Sequence, residues 1–137
     1  MFRKYLLWGI SLAGFSVILG AFGAHGLKSY LPVPQLAVFE TGVRYAFLHA
    51  LALILLASQM QHQKSNPEQL KRLQITGNLF VTGILIFSGS LYTLALQPIF
   101  DFNYTKLVGP ITPFGGLSLT IAWAYWARTV YLNKVDN

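Results

Sequence analysis

The feature of this sequence that most restricts its fold is a set of four long apolar stretches without Asp, Glu, Lys or Arg. They are 19 to 28 residues long and cover residues 5–27, 45–63, 73–100 and 107–127. A helix rises about 1.5 Å per residue and the hydrocarbon core of a bilayer is about 30 Å thick, so each stretch can cross a membrane once. Only 10% of the side chains are charged and 54% are hydrophobic, which excludes a water-soluble domain.

Membrane crossing also fixes the type of secondary structure. Lipid offers no hydrogen-bond partner to the backbone, so a spanning segment must be a helix or part of a closed barrel. Four segments of this length and composition do not suit a barrel, whose strands are about 10 residues long. We predict an all-α membrane protein, one domain over residues 1–137 that forms an antiparallel four-helix transmembrane bundle. The predicted spans are 5–27, 36–61, 72–97 and 112–132.

The basic residues predict the orientation of the bundle. Seven of the ten lie at the termini or between the second and third spans, against Lys28, Arg44 and Lys106 on the other side. By the positive-inside rule, both termini are expected to be cytoplasmic. We expect no nucleic-acid binding, because the basic residues are spread along membrane edges and do not cluster. The first span is too long for the core of a cleaved signal peptide, usually about 7 to 15 apolar residues.

Small residues at four-residue intervals predict close helix packing in the first and last spans. Such faces let two helices approach closely in lipid, where no hydrophobic force drives helices together. These faces fit either packing between helices of one chain or contact between copies in a homo-oligomer, and the sequence leaves both open. The predicted packing residues are Ser16, Gly20, Gly23, Ala24, Gly89, Gly116, Thr120 and Ala124.

Glu40 and Arg44 are the charged residues nearest to the membrane interior. They stand four residues apart and so share one helix face within pairing distance. A charge at the centre of a bilayer costs at least about 2.5 to 3.5 kcal/mol, which favours a structural ion pair near the headgroups. The functional alternative is that Glu40 transfers a proton while Arg44 binds an anion such as a lipid phosphate.

His49 is expected near the middle of the membrane, with Tyr45 one turn away on the same face. It needs a partner from another helix, and the best polar groups in the third span are Asn78, Thr82 and Tyr92. Either His49 is a neutral, hydrogen-bonded structural residue, or it belongs to a proton-transfer or ligand site. His25 ends the first span and lies within reach of Glu40.

No pattern of catalytic or metal-binding residues appears in the sequence. The three histidines are expected at three different depths, and there are no cysteines, so no metal site is predicted. Glu40 lacks a second carboxylate, and no Ser-His-Asp set or phosphate loop is present. We therefore expect that the protein is not an enzyme and needs no cofactor.

Several motif blocks together resemble a known family. The blocks are residues 20–27 (GAFGAHGL), 39–53 (FETGVRY leading to HALAL), 87–92 (FSGSLY) and 109–116 (GPITPFGG). In this order they resemble the domain of unknown function 423 family of YgdD-like small inner-membrane proteins. The resemblance implies a four-helix protein of the bacterial inner membrane with no established activity. Ala46 and Phe47 depart from the polar residues that often follow the tyrosine in that family.

Two functions remain open from the sequence. The first is a small accessory or structural component that binds membrane lipid or a larger membrane complex through its small-residue faces. The alternative is an oligomeric proton-coupled transporter or channel for a small solute. A polar cavity that joins the Glu40 region to His49 would favour transport.

Overall fold

The computed structural model describes residues 2–63, 66–100 and 105–135, and these are almost entirely helical. Four helices are long and apolar enough to cross a membrane, which confirms the predicted all-α fold with four spans. The long helices are α1 (Phe2–Ala21), α2 (Val33–His62), α3 (Pro67–Ala95) and α6 (Thr112–Val135). The short helices are α4 (Gln97–Phe100) and α5 (Thr105–Val108), and a 3₁₀ turn covers Gly109–Ile111. The third span was expected to reach residue 97, but α3 already ends at Ala95.

Proline and an asparagine cap fix where two of these helices begin. Pro34 and Pro67 lie in the first turns of α2 and α3, where a missing N–H costs no helical hydrogen bond. Asn66 caps α3, because its Oδ1 accepts a hydrogen bond from the Gln69 amide at 3.1 Å. The chain therefore leaves α2 and enters α3 through a short connection.

The first two long helices run antiparallel and meet through glycines. Gly9, near the start of α1, faces Ala50, whose carbonyl oxygen would lie 2.9 Å from a Cβ added at Gly9. At the other end of this first segment, Gly23 faces the ring of Phe39. Because later residues of the first segment contact earlier residues of α2, the two segments run antiparallel.

The remaining pairs follow the same rule. In the α2–α3 pair, Gly42 lies against Tyr92, and the ring of His49 lies 5.8 Å from that of Phe80. In the α3–α6 pair, Phe87 lies against Gly115. The described helices therefore form an antiparallel bundle whose neighbours along the chain are neighbours in space.

Helices α2 and α3 form the centre of the bundle, and α1 and α6 lie at its flanks. In the most apolar window of each span, 44% of α2 and 33% of α3 is buried, against 17% for each flanking span. The main core gathers Leu53, Leu56, Met60, Leu73 and Phe80, all of which are fully buried. Large parts of α1 and α6 therefore remain free to contact lipid or other proteins.

The first span ends in a π-helical turn, Phe22–Leu27. Gly23 permits close contact with Phe39, whose ring would be 3.1 Å from an added Cβ, and Gly26 faces the Phe22 ring. Single π-helical turns often occur at functional sites. Here the turn leaves His25 exposed at the end of the bundle away from Phe2.

Candidate functional site

His49 is the one histidine of the described chain that is buried, with 7% of its surface exposed. Its Nδ1 lies 2.7 Å from the carbonyl oxygen of Tyr45, one turn earlier in α2. A carbonyl oxygen only accepts, so Nδ1 carries the proton, and in the neutral imidazole Nε2 is a bare acceptor. In the described part of the chain, Nε2 has no hydrogen-bond partner.

Aromatic rings surround the imidazole on several sides. Its centroid lies 5.9 Å from the Tyr45 ring, 5.8 Å from the Phe80 ring and 6.1 Å from the Trp123 ring. The Phe80 and Trp123 rings also meet each other edge to face, 5.2 Å apart. Rings from α2, α3 and α6 thus hold the imidazole plane in place.

His49 lines a groove of about 500 Å³ between α2 and α6, to which α3 contributes Phe87. We call this feature the His49 groove. Two leucines line it together with Tyr45, His49, Phe87, Gly116, Thr120 and Trp123. Thr120 donates its hydroxyl proton to the Gly116 carbonyl oxygen at 3.0 Å, so its oxygen presents only acceptor lone pairs.

The prediction that His49 pairs with Asn78, Thr82 or Tyr92 of the third span was wrong. Asn78 instead binds Tyr5, whose hydroxyl lies 2.9 Å from Asn78 Oδ1 and 3.1 Å from the Gln74 carbonyl oxygen. Thr82 is exposed. The carbonyl oxygen one turn earlier in α2 is within reach of His49, and Tyr5 from α1 occupies the amide that His49 was expected to use.

Tyr92 lies in a different part of the bundle. Its ring is 5.1 Å from the Phe39 ring, and it fills the space left by Gly42. Within the described residues, its buried hydroxyl has no hydrogen-bond partner. Tyr92 therefore packs against Phe39 and Gly42 and does not line the His49 groove.

Glu40 and Arg44 do not form the expected ion pair. In the described part of the chain the single ion pair within 4.0 Å joins Arg72 and Glu68, at 2.5 Å. An i,i+4 pair on a helix contributes only about 0.2 to 0.5 kcal/mol, too little to hold two exposed, flexible side chains together. His25 is likewise exposed and forms no ion pair with Glu40 in the described structure.

Glu40 and Arg44 instead lie on an exposed, otherwise apolar strip of α2. We call it the α2 stripe, and its members recur every three or four residues: Ala37, Glu40, Arg44, Leu48, Leu51 and Leu55. The opposite face of α2 is buried against α1 and α3. The stripe therefore faces whatever surrounds the bundle.

The positions of these groups along α2 can be counted from its hydrogen bond with α6. Trp126 in α6 donates to Gln59 Oε1 in α2 at 2.7 Å. At about 1.5 Å per residue, the backbone of His49 lies about 15 Å from that of Gln59, that of Arg44 about 22 Å and that of Glu40 about 28 Å. His49 is thus near the middle of α2.

The predicted packing residues divide into buried and exposed groups. Gly23 faces the ring of Phe39. A Cβ added at Gly20 would lie 3.5 Å from Val43, and a Cβ added at Gly116 would lie 3.5 Å from the Phe87 ring. Ser16 is buried, and its hydroxyl donates to the carbonyl oxygen of Leu12 at 2.7 Å. An added Cβ at Gly89 would meet no atom within 4 Å. The exposed members are Ala24, Thr120 and Ala124.

Several interhelical hydrogen bonds were not anticipated. Besides the Tyr5 and Trp126 bonds, the Ser118 hydroxyl donates to the Leu79 carbonyl oxygen at 2.9 Å, and Thr112 donates to Ser90 Oγ at 2.8 Å. The sequence carries no signal that identifies the partners of Tyr5 and Trp126. Three or more His, Cys, Asp or Glu side chains do not gather around a common point anywhere in the described residues.

Comparison with known proteins places these features in a family. The family model described as "Protein of unknown function (DUF423)" matches residues 19–116. A UPF0382 membrane protein of Haemophilus influenzae is 38% identical over 135 residues, which is 98% of each chain. The UPF0382 membrane protein YwdK of Bacillus subtilis is 37% identical over 88% of this chain and 90% of its own length.

The UPF0382 inner membrane protein YgdD of Escherichia coli is 33% identical over 90% of this chain and 87% of its own length. No solved structure matches the chain. The names of these relatives and the four spans confirm the expected multi-pass location in the bacterial inner membrane. The chain belongs to the DUF423 family of uncharacterised membrane proteins.

Proposed function

We propose that this protein is a non-catalytic accessory component of the inner membrane that packs against a membrane-embedded protein partner through the α2 stripe. Both termini face the cytoplasm in this proposal. The observation that carries it is the exposure of Glu40 and Arg44, unpaired with each other, on a strip that is otherwise leucine and alanine.

The energetic argument concerns what surrounds these two side chains. A charged side chain inside the hydrocarbon costs at least about 2.5 kcal/mol unless it finds a partner. The 30 residues of α2 extend over about 45 Å and Arg44 lies about 16 Å from their start, so a hydrocarbon core of about 30 Å centred on the helix includes the Arg44 backbone. The long Arg44 side chain can still extend toward the headgroups. Intramembrane charges usually face protein or water-filled cavities.

A protein partner suits this pair better than lipid does. A lipid phosphate attracts Arg44 but repels Glu40, one turn away on the same face. A neighbouring helix with one donor and one acceptor at this depth satisfies both. The partner is either a different membrane protein or a second copy, in which Glu40 of one chain meets Arg44 of the other.

Transport is less well supported by the geometry. A proton path needs a polar route between the outer charges and the mid-membrane histidine. The cavity that contains His49 is walled mainly by aromatic and aliphatic side chains, and Glu40, Arg44 and His25 do not line it. The accessory function needs no such route.

Site-directed photo-crosslinking in cells tests the proposal. A photoreactive amino acid replaces Leu51 in the α2 stripe, which is 41% exposed. The matched control replaces Leu85, which is 51% exposed on a different helix, α3. We expect a discrete protein adduct from position 51 and none from position 85. An adduct twice the mass of the chain identifies the partner as a second copy.

Two outcomes contradict the proposal. Lipid adducts alone from position 51 favour lipid binding by this face. Equal protein adducts from positions 51 and 85 show nonspecific collision within the membrane. Proton flux in proteoliposomes that is abolished by His49→Phe but kept in His62→Phe would instead favour the transporter.

A further inference from the structure

We propose that the His49 groove binds the ring of a lipid-soluble phenol, a class that includes hydroquinones, whose hydroxyl donates a hydrogen bond to Nε2 of His49. The groove shares Leu48 with the α2 stripe, but the inference does not depend on the proposed protein partner. It is carried by a buried imidazole whose open nitrogen faces a groove large enough for a ring.

The hydrogen bond that His49 already makes means that its ligand must be a hydrogen-bond donor. Its Nδ1 proton is already used on the Tyr45 carbonyl oxygen, so Nε2 of the neutral ring offers only a lone pair. Among the described residues, the fully buried side-chain atoms without a partner do not include Nε2 of His49, so this nitrogen is accessible from the groove that His49 lines. Since Nε2 has no partner within the described chain, a hydroxyl that enters the groove can donate to it.

Thr120, on the other wall of the groove, also favours a ligand that donates a hydrogen bond. Its hydroxyl proton is engaged by the Gly116 carbonyl oxygen at 3.0 Å, which leaves acceptor lone pairs. Two acceptors on opposite walls favour a molecule with hydroxyl groups over one with carbonyl groups alone. The indole N–H of Trp123, which also lines the groove, suits the oxygen of the same hydroxyl.

The aromatic lining favours a flat ring. The Tyr45 and Phe87 rings lie 5.0 Å apart, and the His49 and Trp123 rings 6.1 Å apart. Aromatic rings gain from edge-to-face or offset contacts at centroid distances of about 4.5 to 7 Å. The volume of about 500 Å³ is within the usual range for small-molecule sites.

The depth of the site excludes phospholipid headgroups. His49 lies near the middle of α2, a helix long and apolar enough to cross the membrane, where a charged headgroup would be strongly disfavoured. A molecule that reaches this level must be mainly apolar, with one or two small polar groups. A phenol with an alkyl tail meets this requirement and enters from the bilayer through the open side between α2 and α6.

Binding of para-decylphenol to the purified protein in lipid nanodiscs tests the inference. The chemical control is its methyl ether, which keeps the ring, the tail and an acceptor oxygen but loses the donor. A second control is 1-decanol, which keeps the donor but lacks the ring. We expect saturable binding of the phenol, about 5- to 10-fold tighter than either control, as the loss of one buried hydrogen bond or ring contact predicts.

Matched variants locate the site. His49→Phe should weaken phenol binding about 10-fold, while His62→Phe should leave it unchanged. His62 is a close control, because its Nδ1 also bonds the carbonyl oxygen one turn earlier, that of Ser58 at 2.8 Å, but its ring is exposed. Thr120→Val and Gly116→Leu act on the other wall without touching His49, so they keep the test valid if His49→Phe does not fold.

Three results would overturn the inference. One is equal affinity for the phenol and its methyl ether, which would show that the donor is irrelevant. The second is unchanged phenol binding in Gly116→Leu and Thr120→Val. The third is saturation with neither phenol nor control, which would leave the groove to lipid chains. None of these results affects crosslinking at Leu51, so the accessory proposal stands or falls separately.

Discussion

Gly115 of α6 lies directly against the backbone of Phe87 in α3. A Cβ added at Gly115 would come 2.7 Å from the Phe87 Cα and closer still to its amide nitrogen. The neighbouring Gly116 is different, since its added Cβ would lie 3.5 Å from the Phe87 ring. The α3–α6 pair thus depends on one glycine far more than on the next.

Gly115→Ala should therefore destabilise the protein by about 1 to 3 kcal/mol, because two backbones must separate to admit the methyl group. Gly116→Ala should change stability by less than about 0.5 kcal/mol, since ordinary contact already has room for it. Reversible unfolding in mixed micelles measures both. Equal losses from the two alanines would contradict the close contact.

Tyr5 is predicted to stabilise the bundle through its hydroxyl. Tyr5→Phe removes the bond to Asn78 Oδ1 and should cost about 0.6 kcal/mol, and up to about 1.7 kcal/mol, the range for such bonds in membranes. Tyr30→Phe is the control, because Tyr30 is 75% exposed. In a double-mutant cycle, Tyr5→Phe combined with Asn78→Ala should cost less than the sum of the single changes. Strict additivity would exclude the bond.

Glu40 and Arg44 should matter for partner binding but not for the fold of the isolated chain. Because they form no ion pair with each other, Glu40→Gln and Arg44→Gln should each shift the free energy of unfolding by less than about 0.5 kcal/mol, and additively. Each should nevertheless reduce crosslinking from position 51. A stability loss in Arg44→Gln that Glu40→Gln restores would show that the two residues do pair in the membrane.

The proposed orientation can be tested by thiol labelling, because the chain has no native cysteine. Ser29→Cys, in the connection between α1 and α2, should react with a membrane-impermeant reagent in intact cells. Gln61→Cys, near the end of α2, should react only after lysis. Both positions are exposed in the structure. The reverse labelling pattern would place both termini outside the cytoplasm.

The all-α fold and the number of membrane-spanning helices were predictable from the sequence. Charge-free length fixes the spans, because hydrocarbon excludes charge and exposed backbone alike. The glycine motifs also indicated close packing, and Gly23 and Gly116 do lie at ordinary or short distances from rings of a neighbouring helix.

The polar contacts were much less predictable. His49 was expected to seek another helix, yet a carbonyl oxygen of its own helix is closer and always present. The spacing of Glu40 and Arg44 permits a pair but contributes too little energy to enforce one. The partners of Tyr5 and Trp126 depend on helix rotation, which a single sequence does not encode in any local pattern.

The bond between Tyr5 and α3 also bears on how the protein is made. When the ribosome has delivered only the first two spans, neither Asn78 nor the Gln74 carbonyl has emerged. The Tyr5 hydroxyl therefore lacks these hydrogen-bond partners until the third span has been translated. The first span thus packs against the second before it gains its hydrogen bonds to the third, which form only after more than half of the chain has been translated.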